Sequence, residues 1–197
     1  MHSLVSQSWL YLIILYVALA VWGIPEMLGS IFRRSEKGAV KRDRGSHLVL
    51  YAGMFIGIFA AFFFSFGVPA ATIEWHQPVL FWVGIALLLA GIAFRWYAIR
   101  VLGKYFTRDV ATRTGQEVVE SGPYRYIRHP AYSGTLITAL GFGLATTNWL
   151  ALIAIVLGVS LSYSYRVRVE ERALCEDLGD VYRGYMRRTR RFIPFVW

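Results

Sequence analysis

Residues 121–132, Ser-Gly-Pro-Tyr-Arg-Tyr-Ile-Arg-His-Pro-Ala-Tyr, form a dense polar cluster at the edge of a hydrophobic stretch. Pro130 disfavours helical geometry at His129 and then takes the first-turn position that proline prefers, so a helix is expected to begin there. Arg128 and His129 would lie at its mouth. Taken alone, the arginine would reach lipid phosphates and the histidine would cap the helix. Guanidinium, imidazole and phenol groups at one point could instead bind and orient a polar substrate.

A second polar cluster follows the next apolar stretches, where Arg166 and Glu170 lie four residues apart and Glu171 comes next. On a solvated helix this spacing would form a surface ion pair that contributes little to stability. However, the two apolar stretches between the clusters are separated only by Thr147 and Asn148, which predicts a helical hairpin. Both ends of the hairpin reach one membrane face, and ionisable groups at that boundary are costly enough to indicate a functional site.

The apolar content determines the solvent in which this chain folds. Of 197 residues, 56% are hydrophobic and 17% are charged, against roughly 25% charged in soluble domains. Because a helix needs about 20 apolar residues to cross a bilayer, we predict an all-α polytopic membrane protein with five transmembrane helices. The predicted spans lie near Trp9–Leu28, His47–Val68, Pro78–Ile99, Ala131–Thr146 and Trp149–Tyr165.

The basic residues fall on alternate connections between those spans. They crowd 33–44, 100–128 and 166–191 and do not occur in 69–77 or 147–148. The positive-inside rule therefore places the N-terminus outside and the C-terminus in the cytoplasm, in a bacterial inner membrane or the endoplasmic reticulum. Because the charges follow the spans, membrane lipid head groups explain the formal charge of +9 and no nucleic-acid partner is expected.

Composition also divides the chain into two parts. Residues 1–100 predict a transmembrane scaffold of three spans, in which Gly53 and Gly57 form a small-residue pair that lets helices approach closely. Residues 101–197 predict a cytoplasmic catalytic half built from the hairpin and an amphipathic C-terminal helix. Gly179 predicts a break in that helix.

Two further features carry no chemistry of their own. Cys175 is the only cysteine, so neither an intramolecular disulfide nor a thiolate metal cluster is expected. Gly141 and Gly143 superficially begin a dinucleotide fingerprint, but they lie inside a predicted span, where no strand precedes them and no phosphate-binding turn can form.

Together these residues resemble a known family, the isoprenylcysteine carboxyl methyltransferases. Three elements carry the resemblance: Gly-x-Tyr-x-x-x-Arg-His-Pro-x-Tyr within 122–132, the Arg166, Glu170, Glu171 spacing, and Leu178-Gly-Asp-Val-Tyr-Arg-Gly-Tyr185 followed by Ile193-Pro194. The resemblance covers residues 102–197, and the first two spans match only in being hydrophobic. It implies an integral membrane enzyme that uses S-adenosyl-L-methionine and no metal.

The resemblance also implies roles for individual residues. Cofactor-binding positions fall on Gln116, Glu117, Val118, Val119, Tyr124, His129, Pro130, Ala131, Tyr132 and Glu170. The substrate-facing arginine falls on Arg166, and Arg128 is a second candidate for a catalytic role. Eukaryotic members have a histidine where this chain has Gln116, and their loop is longer. Such departures are expected if the cofactor is retained and the acceptor differs.

The chemistry of methyl transfer explains why these residue types are useful. A sulfonium methyl group must be aligned with its acceptor while water is excluded. A carboxylate acceptor is ionised at neutral pH and needs no general base, and an arginine would hold it through charge-assisted hydrogen bonds. Glu170 would bind the polar or cationic end of the cofactor. The tail of a prenylated or other lipidic acceptor would lie between helices.

Three alternatives remain open from the sequence. Phospholipid or other small-lipid N-methyltransferases have a similar cofactor half, but an amine must lose a proton before attack and prefers a nearby base. Membrane sterol-type reductases, which use NADPH, faintly resemble the arginine-rich stretch 168–194. A non-enzymatic membrane scaffold would leave the polar mouth of the hairpin unexplained.

Overall fold

The structure, a computed structural model, describes residues 3–32, 40–41, 45–106, 111–112 and 117–192. Its helices are α1 (Leu4–Gln7), α2 (Trp9–Phe32), α3 (Ser46–Gly67), α4 (Gln77–Leu102), α5 (Pro130–Ala145) and α6 (Trp149–Arg188). Short 3₁₀ turns lie at Pro69–Ala71, Gly103–Tyr105 and Gly122–Arg125. Two-residue strands, β1 (Val40–Lys41) and β2 (Ala111–Thr112), form an antiparallel pair. The described chain is thus almost wholly helical, as predicted.

Four of the described helices are long and apolar enough to cross a membrane, which supports an integral membrane protein. They comprise Trp9–Glu26, Ser46–Gly67, Gln77–Tyr105 and Trp149–Arg188. Helix α5 has 16 residues, which extend about 24 Å, whereas the hydrocarbon core is about 30 Å thick. The fifth crossing therefore stays a prediction.

The turn between α5 and α6 is buried, which explains how so short a helix can pack in the bundle. Thr147 and Asn148 have no exposed surface. The Asn148 side-chain amide donates hydrogen bonds to the carbonyls of Phe64 and Val68 at the end of α3. The Thr147 hydroxyl accepts a hydrogen bond from the backbone N–H of Leu4. Because the turn finds these partners inside the protein, α5 can end below the membrane surface.

Glycines bring α4 and α5 into close contact. Gly84 and Gly91 of α4 lie against Gly141 and Gly134 of α5, respectively. A Cβ atom added at Gly84 would lie 2.5 Å from the backbone nitrogen of Ala145, a distance that real Cβ atoms do not tolerate. Gly141 therefore serves packing, and the backbones of the two helices approach as closely as small residues allow.

Small residues also allow α3 and α6 to pack closely. Gly53 faces Gly158 and Ser162 of α6, and Gly57 also lies against α6. The prediction that the Gly53 and Gly57 pair is a packing element is therefore confirmed. Each of these two pairs joins a helix from the first half of the chain to one from the second half, so α3 and α4 directly support the hairpin.

Helix α6 is interrupted at Gly179, as predicted. Gly179 has φ 57° and ψ −129°, a conformation that side chains disfavour. An uninterrupted helix of 40 residues would extend about 60 Å, twice the hydrocarbon thickness, so only its first half can lie in the membrane core. After the helix ends, the chain returns to the start of α5, where the N–H groups of Arg128 and His129 donate to the carbonyls of Arg190 and Arg191.

We expect Gly84→Ala to destabilise the protein by about 1–3 kcal/mol, because the added methyl group forces α4 and α5 apart. Thermal unfolding in detergent, followed by circular dichroism, measures this change. Gly23→Ala is the matched control, since a Cβ at Gly23 meets no atom within 4 Å and alanine favours a helix. Equal destabilisation by the two variants would contradict the packing account.

Candidate active site

Polar side chains gather at the end of the bundle where α5 begins, in two neighbouring groups. One group surrounds the carboxylate of Glu171, and the other lines a cavity that contains Arg166. Tyr132 and His129 link the two groups, because their rings stack on one another. The hairpin predicted from the sequence therefore does bring its two polar ends together.

Glu171 is buried and interacts with three basic side chains. Arg128 Nε donates to its Oε1 over 2.8 Å, and Arg191 Nη2 donates to its Oε2 over 2.9 Å. His129 Nε2 lies 3.3 Å from Oε1. Glu171 follows the stretch Trp149–Tyr165 of α6, which the sequence predicts as the span. Burial acts to raise the pKa of Glu171, but His129 and the two guanidinium groups outweigh burial and lower the pKa to about 2.

Arg128 connects the start of α5 to the end of the chain. Besides Glu171, its guanidinium donates to the backbone carbonyl of Met186 over 3.0 Å and to that of Thr189. Arg128 is not among the described residues that line the cavity. The structure therefore brings Arg128 together with His129 but does not place it beside Arg166.

His129, Tyr132 and Glu170 form the second part of the site. The planes of the His129 and Tyr132 rings differ by 2°, with centroids 5.4 Å apart. The Tyr132 hydroxyl donates to Glu170 Oε2 over 2.6 Å, and His129 Nδ1 lies 4.0 Å from the same oxygen. The Glu170 side chain is 29% exposed, whereas that of His129 is 4% exposed. An accessible carboxylate beside stacked rings is suited to the cationic end of a ligand that approaches from water.

Residues just before α5 and in its first turn pack together against α4. Val119, Tyr124 and Ala131 belong to one small apolar cluster against α4. The backbone carbonyl of Tyr124 accepts a hydrogen bond from the Tyr185 hydroxyl over 2.7 Å. Burial, and then the negative charge of Glu170, raise the pKa of the Tyr124 hydroxyl well above its usual range. This hydroxyl therefore remains a neutral hydrogen-bond donor at physiological pH.

The other cofactor positions predicted from the loop are less closely tied to the site. Glu117 is exposed, Val118 is half-buried and Pro130 is buried. Gln116 lies outside the described residues. Within the described ranges, no group of three or more histidine, cysteine or carboxylate side chains is arranged to hold a metal ion.

The cavity lies between α2, α3, α4, α5 and α6 and is open at its mouth; the empty space in and around it, open solvent included, is about 560 Å³. Apolar walls are supplied by residues that include Trp22, Leu50 and Met54. Tyr132 and Arg166 contribute polar groups to the same space. Because Tyr132 also touches His129 and Glu170, its ring separates the cavity from the more exposed part of the site.

Arg166 is held in the cavity wall. Arg166 is 3% exposed. Its Nη1 donates to Oγ of Ser46, at the start of α3, over 2.7 Å. Its guanidinium also interacts with the Tyr132 hydroxyl. The sequence predicted that Arg166 returns to the depth of His129, and its contact with Tyr132 agrees with that geometry.

Sequence reasoning missed an ion pair in the same cavity. Arg95 donates to both carboxylate oxygens of Glu26, from Nε over 2.6 Å and from Nη2 over 3.1 Å. Its Nη1 also donates to the backbone carbonyl of Ala131 over 3.1 Å. The available signal was that both residues fall inside predicted spans, where ionisable groups usually face one another or a functional cavity.

Comparison with known proteins identifies the part of the chain that carries this arrangement. A family model described as "Isoprenylcysteine carboxyl methyltransferase (ICMT) family" matches residues 83–176. This segment is therefore similar to the isoprenylcysteine carboxyl methyltransferase family. It contains α5, the Arg128–His129 pair and the polar residues 166–171, so the resemblance predicted from the sequence is confirmed.

Known proteins also match more than half of the chain. A "Probable protein-S-isoprenylcysteine O-methyltransferase" of Oryza sativa subsp. indica is 30% identical over 117 residues, or 58% of this chain and 61% of that protein. The "Cobalt-zinc-cadmium resistance protein CzcN" of Cupriavidus metallidurans is 31% identical over 121 residues, or 61% of this chain and 51% of that protein. The chain therefore spans between half and two thirds of the length of these relatives.

The fold is also similar to that of a solved family member. The structure of "the eukaryotic intramembrane Ras methyltransferase ICMT (isoprenylcysteine carboxyl methyltransferase) without a monobody" matches with a TM-score of 0.56 and 23% identity. The match covers 80% of this chain and 55% of that chain. Because residues 83–197 make up less than this share, the common fold includes part of the scaffold helices.

Because of Glu171, the protein is expected to become less stable as the pH falls. Its pKa is lowered from 4.5 to about 2, so its ionised form stabilises the fold above about pH 4.5 and this contribution is lost as the pH falls through about 2. We expect Glu171→Gln to remove this pH dependence and to lower stability at neutral pH by about 3–5 kcal/mol, because Arg128 and Arg191 lose their buried partner. Thermal unfolding in detergent over this pH range measures both effects.

Asp177→Asn is the matched control for that measurement, because Asp177 is an exposed carboxylate on the same helix. Its effect on stability should be much smaller at every pH. If Glu171→Gln retained the acid dependence of the wild type, the interaction of Glu171 with the three basic residues would not be its source.

Proposed function

We propose that this protein is an integral membrane methyltransferase that transfers a methyl group from S-adenosyl-L-methionine to the carboxylate of a prenylated cysteine or a similar lipidic acceptor. One observation carries the proposal: the Tyr132 ring adjoins both the cavity that contains Arg166 and the partly exposed carboxylate of Glu170. A water-soluble donor and a lipidic acceptor require two neighbouring sites of this kind. The family match supports methyl transfer as the reaction.

The donor would occupy the more exposed side of Tyr132. S-adenosyl-L-methionine supplies an electrophilic methyl group on a cationic sulfonium. Glu170 would pair with the positive end of this cofactor, while His129 and Tyr124 would orient it by ring contacts and hydrogen bonds. The remaining positions in this proposal are those that the family resemblance implies: Gln116, Glu117, Val118, Val119, Pro130, Ala131 and Tyr132.

The acceptor would occupy the cavity, with its carboxylate on Arg166. The buried guanidinium provides charge-assisted hydrogen bonds where water competes poorly. Arg128 enters the proposal as a positioning residue, because it contacts Glu171 and backbone carbonyls and thereby holds the segment that carries His129. The aromatic and aliphatic cavity walls would exclude water from the methyl group.

A negatively charged acceptor fits this cavity better than the alternatives do. A protonated amine would approach Arg166 and Arg95, which disfavours an N-methyltransferase with the same geometry. The family match does not support a sterol-type reductase, and an inert scaffold would not require buried charges beside an open cavity.

The membrane arrangement completes the proposal. We infer five crossings, with α5 as the short fourth crossing and the first half of α6 as the fifth. The distribution of basic residues supports an external N-terminus and a cytoplasmic C-terminus, in a bacterial inner membrane or the endoplasmic reticulum. Residues 1–100 would then form the scaffold and residues 101–197 the catalytic half.

Calorimetric titration of the detergent-purified protein with S-adenosylhomocysteine tests the donor site. We expect Glu170→Gln and His129→Ala each to weaken binding about tenfold or more, because each loses a direct contact with the ligand. Glu176→Gln, which alters an exposed glutamate on the same helix, should bind as the wild type does. Binding of NADPH in place of S-adenosylhomocysteine would overturn the proposal and favour a reductase.

The acceptor site is tested by kinetics with an S-farnesylcysteine derivative that ends in a carboxylate. Arg166→Lys retains the charge but not the planar fork of donors, so we expect KM for the acceptor to rise about tenfold. The affinity for S-adenosylhomocysteine should not change. The rate should also be nearly independent of pH around neutrality, because the carboxylate is already ionised. A rate that rises with pH as an amine loses its proton would instead identify an N-methyltransferase.

A further inference from the structure

The segment that follows α6 crosses the start of α5 and is held there by backbone hydrogen bonds. The N–H of Arg128 donates to the carbonyl of Arg190 over 2.7 Å, and the N–H of Arg190 donates to the carbonyl of Tyr126 over 3.1 Å. The N–H of His129 donates to the carbonyl of Arg191 over 3.1 Å. Because the family match ends at residue 176, part of the proposed donor site is supported by residues outside that match.

Arg191 also reaches His129 through its side chain, with Glu171 between them. Its Nε and Nη2 both donate to Oε2 of Glu171, over 3.1 Å and 2.9 Å. The other oxygen, Oε1, accepts from Arg128 Nε over 2.8 Å and lies 3.3 Å from His129 Nε2. Arg191 therefore occupies one oxygen of the carboxylate and leaves the other oxygen to Arg128 and His129.

Among the described partners of Glu171, Arg191 alone holds the carboxylate with two donors. Nη1 of Arg128 is occupied by two backbone carbonyls, so Arg128 offers the carboxylate a single donor, Nε. One hydrogen bond leaves a carboxylate able to rotate, whereas a second anchor on the opposite oxygen fixes its plane. Arg191 thereby directs Oε1 at His129.

The orientation of Glu171 determines which nitrogen of His129 carries the proton. With its pKa lowered to about 2, Glu171 is ionised at neutral pH and can only accept hydrogen bonds. Nε2 of His129 must then be the donor, and in the neutral ring Nδ1 is the acceptor. Nδ1 lies 4.0 Å from Oε2 of Glu170, on the side proposed for the methyl donor. A ligand group that donates to Glu170 can therefore donate to Nδ1 as well.

We propose that Arg191 is a positioning residue for the donor site, which fixes His129 through both its backbone and its ring. By holding Oε2 of Glu171, Arg191 selects the form of His129 that is protonated on Nε2 and directs Nδ1 at the space beside Glu170. There Nδ1 accepts a hydrogen bond from the ammonium group of the methyl donor, which also pairs with Glu170. The identity of this ligand rests on the proposed function, whereas the effect of Arg191 on His129 does not.

NMR of protein that carries ¹⁵N-labelled histidine reports the position of the ring proton, and His129→Ala assigns the signals of His129. At mildly alkaline pH and without ligand, we expect a protonated Nε2 and an unprotonated Nδ1 in the wild type. Arg191→Gln removes the charge and the pair of guanidinium donors, so both signals should move towards the average of the two neutral forms. The affinity for S-adenosylhomocysteine, measured by calorimetry, should fall about tenfold.

Two variants serve as controls. Arg190→Gln alters the exposed neighbour of Arg191 and keeps the backbone hydrogen bonds of the segment, so it should match the wild type in both measurements. Arg191→Lys retains the charge but not the planar fork of donors and should lie between the wild type and Arg191→Gln. Unchanged His129 signals in Arg191→Gln overturn the proposal even if the affinity falls, because that result describes a purely structural role. An unchanged affinity with altered signals overturns it as well.

Misfolding and failure of the proposed function are told apart by the same measurements. If Arg191→Gln does not fold, Arg191→Lys decides, since loss of the two-donor contact should still move the His129 signals; signals identical to those of the wild type overturn the proposal. If the wild-type protein does not bind S-adenosylhomocysteine, the proposed function fails. The signals of the ligand-free protein then still decide whether Arg191 sets the form of His129.

Discussion

The site depends on one buried carboxylate, that of Glu171, and on the basic groups around it. An ionised carboxylate away from water is tolerated only when partners compensate its charge. Arg128 and His129 supply that compensation from the start of α5, and Arg191 supplies it from the segment after α6. Three parts of the chain are thereby fixed at one point, and the His129 ring is held where it stacks on Tyr132.

Close helix packing transmits this fixed geometry to the cavity. Gly91 and Gly134 let α4 approach α5 so closely that Arg95 reaches the carbonyl of Ala131 in the first turn of α5. Nε and Nη2 of the same guanidinium donate hydrogen bonds to the carboxylate of Glu26 in α2. The scaffold helices are therefore coupled to the polar site by backbone proximity and by a buried ion pair, and they are more than a passive membrane anchor.

Most of the helical architecture could be predicted, because apolar runs of bilayer length and breakers such as Gly179 leave a strong local signal. The meeting of His129, Arg166 and Glu170 was also predictable, since a tight hairpin must return its ends to one face. The partners of Arg95 and Arg128 were not, because Glu26 is 69 residues from Arg95 and Glu171 is 43 residues from Arg128. Such contacts depend on how helices pack, and helix spacing along the chain does not contain that information.

The buried turn between α5 and α6 has a consequence for how membrane topology is counted. Thr147 and Asn148 present no surface to solvent on either side of the bundle. A water-soluble thiol reagent, a protease or a glycosylating enzyme would find no accessible site at this connection. An accessibility map would therefore register no change of side between α5 and α6, and it could not distinguish two crossings from a hairpin that remains inside the bundle.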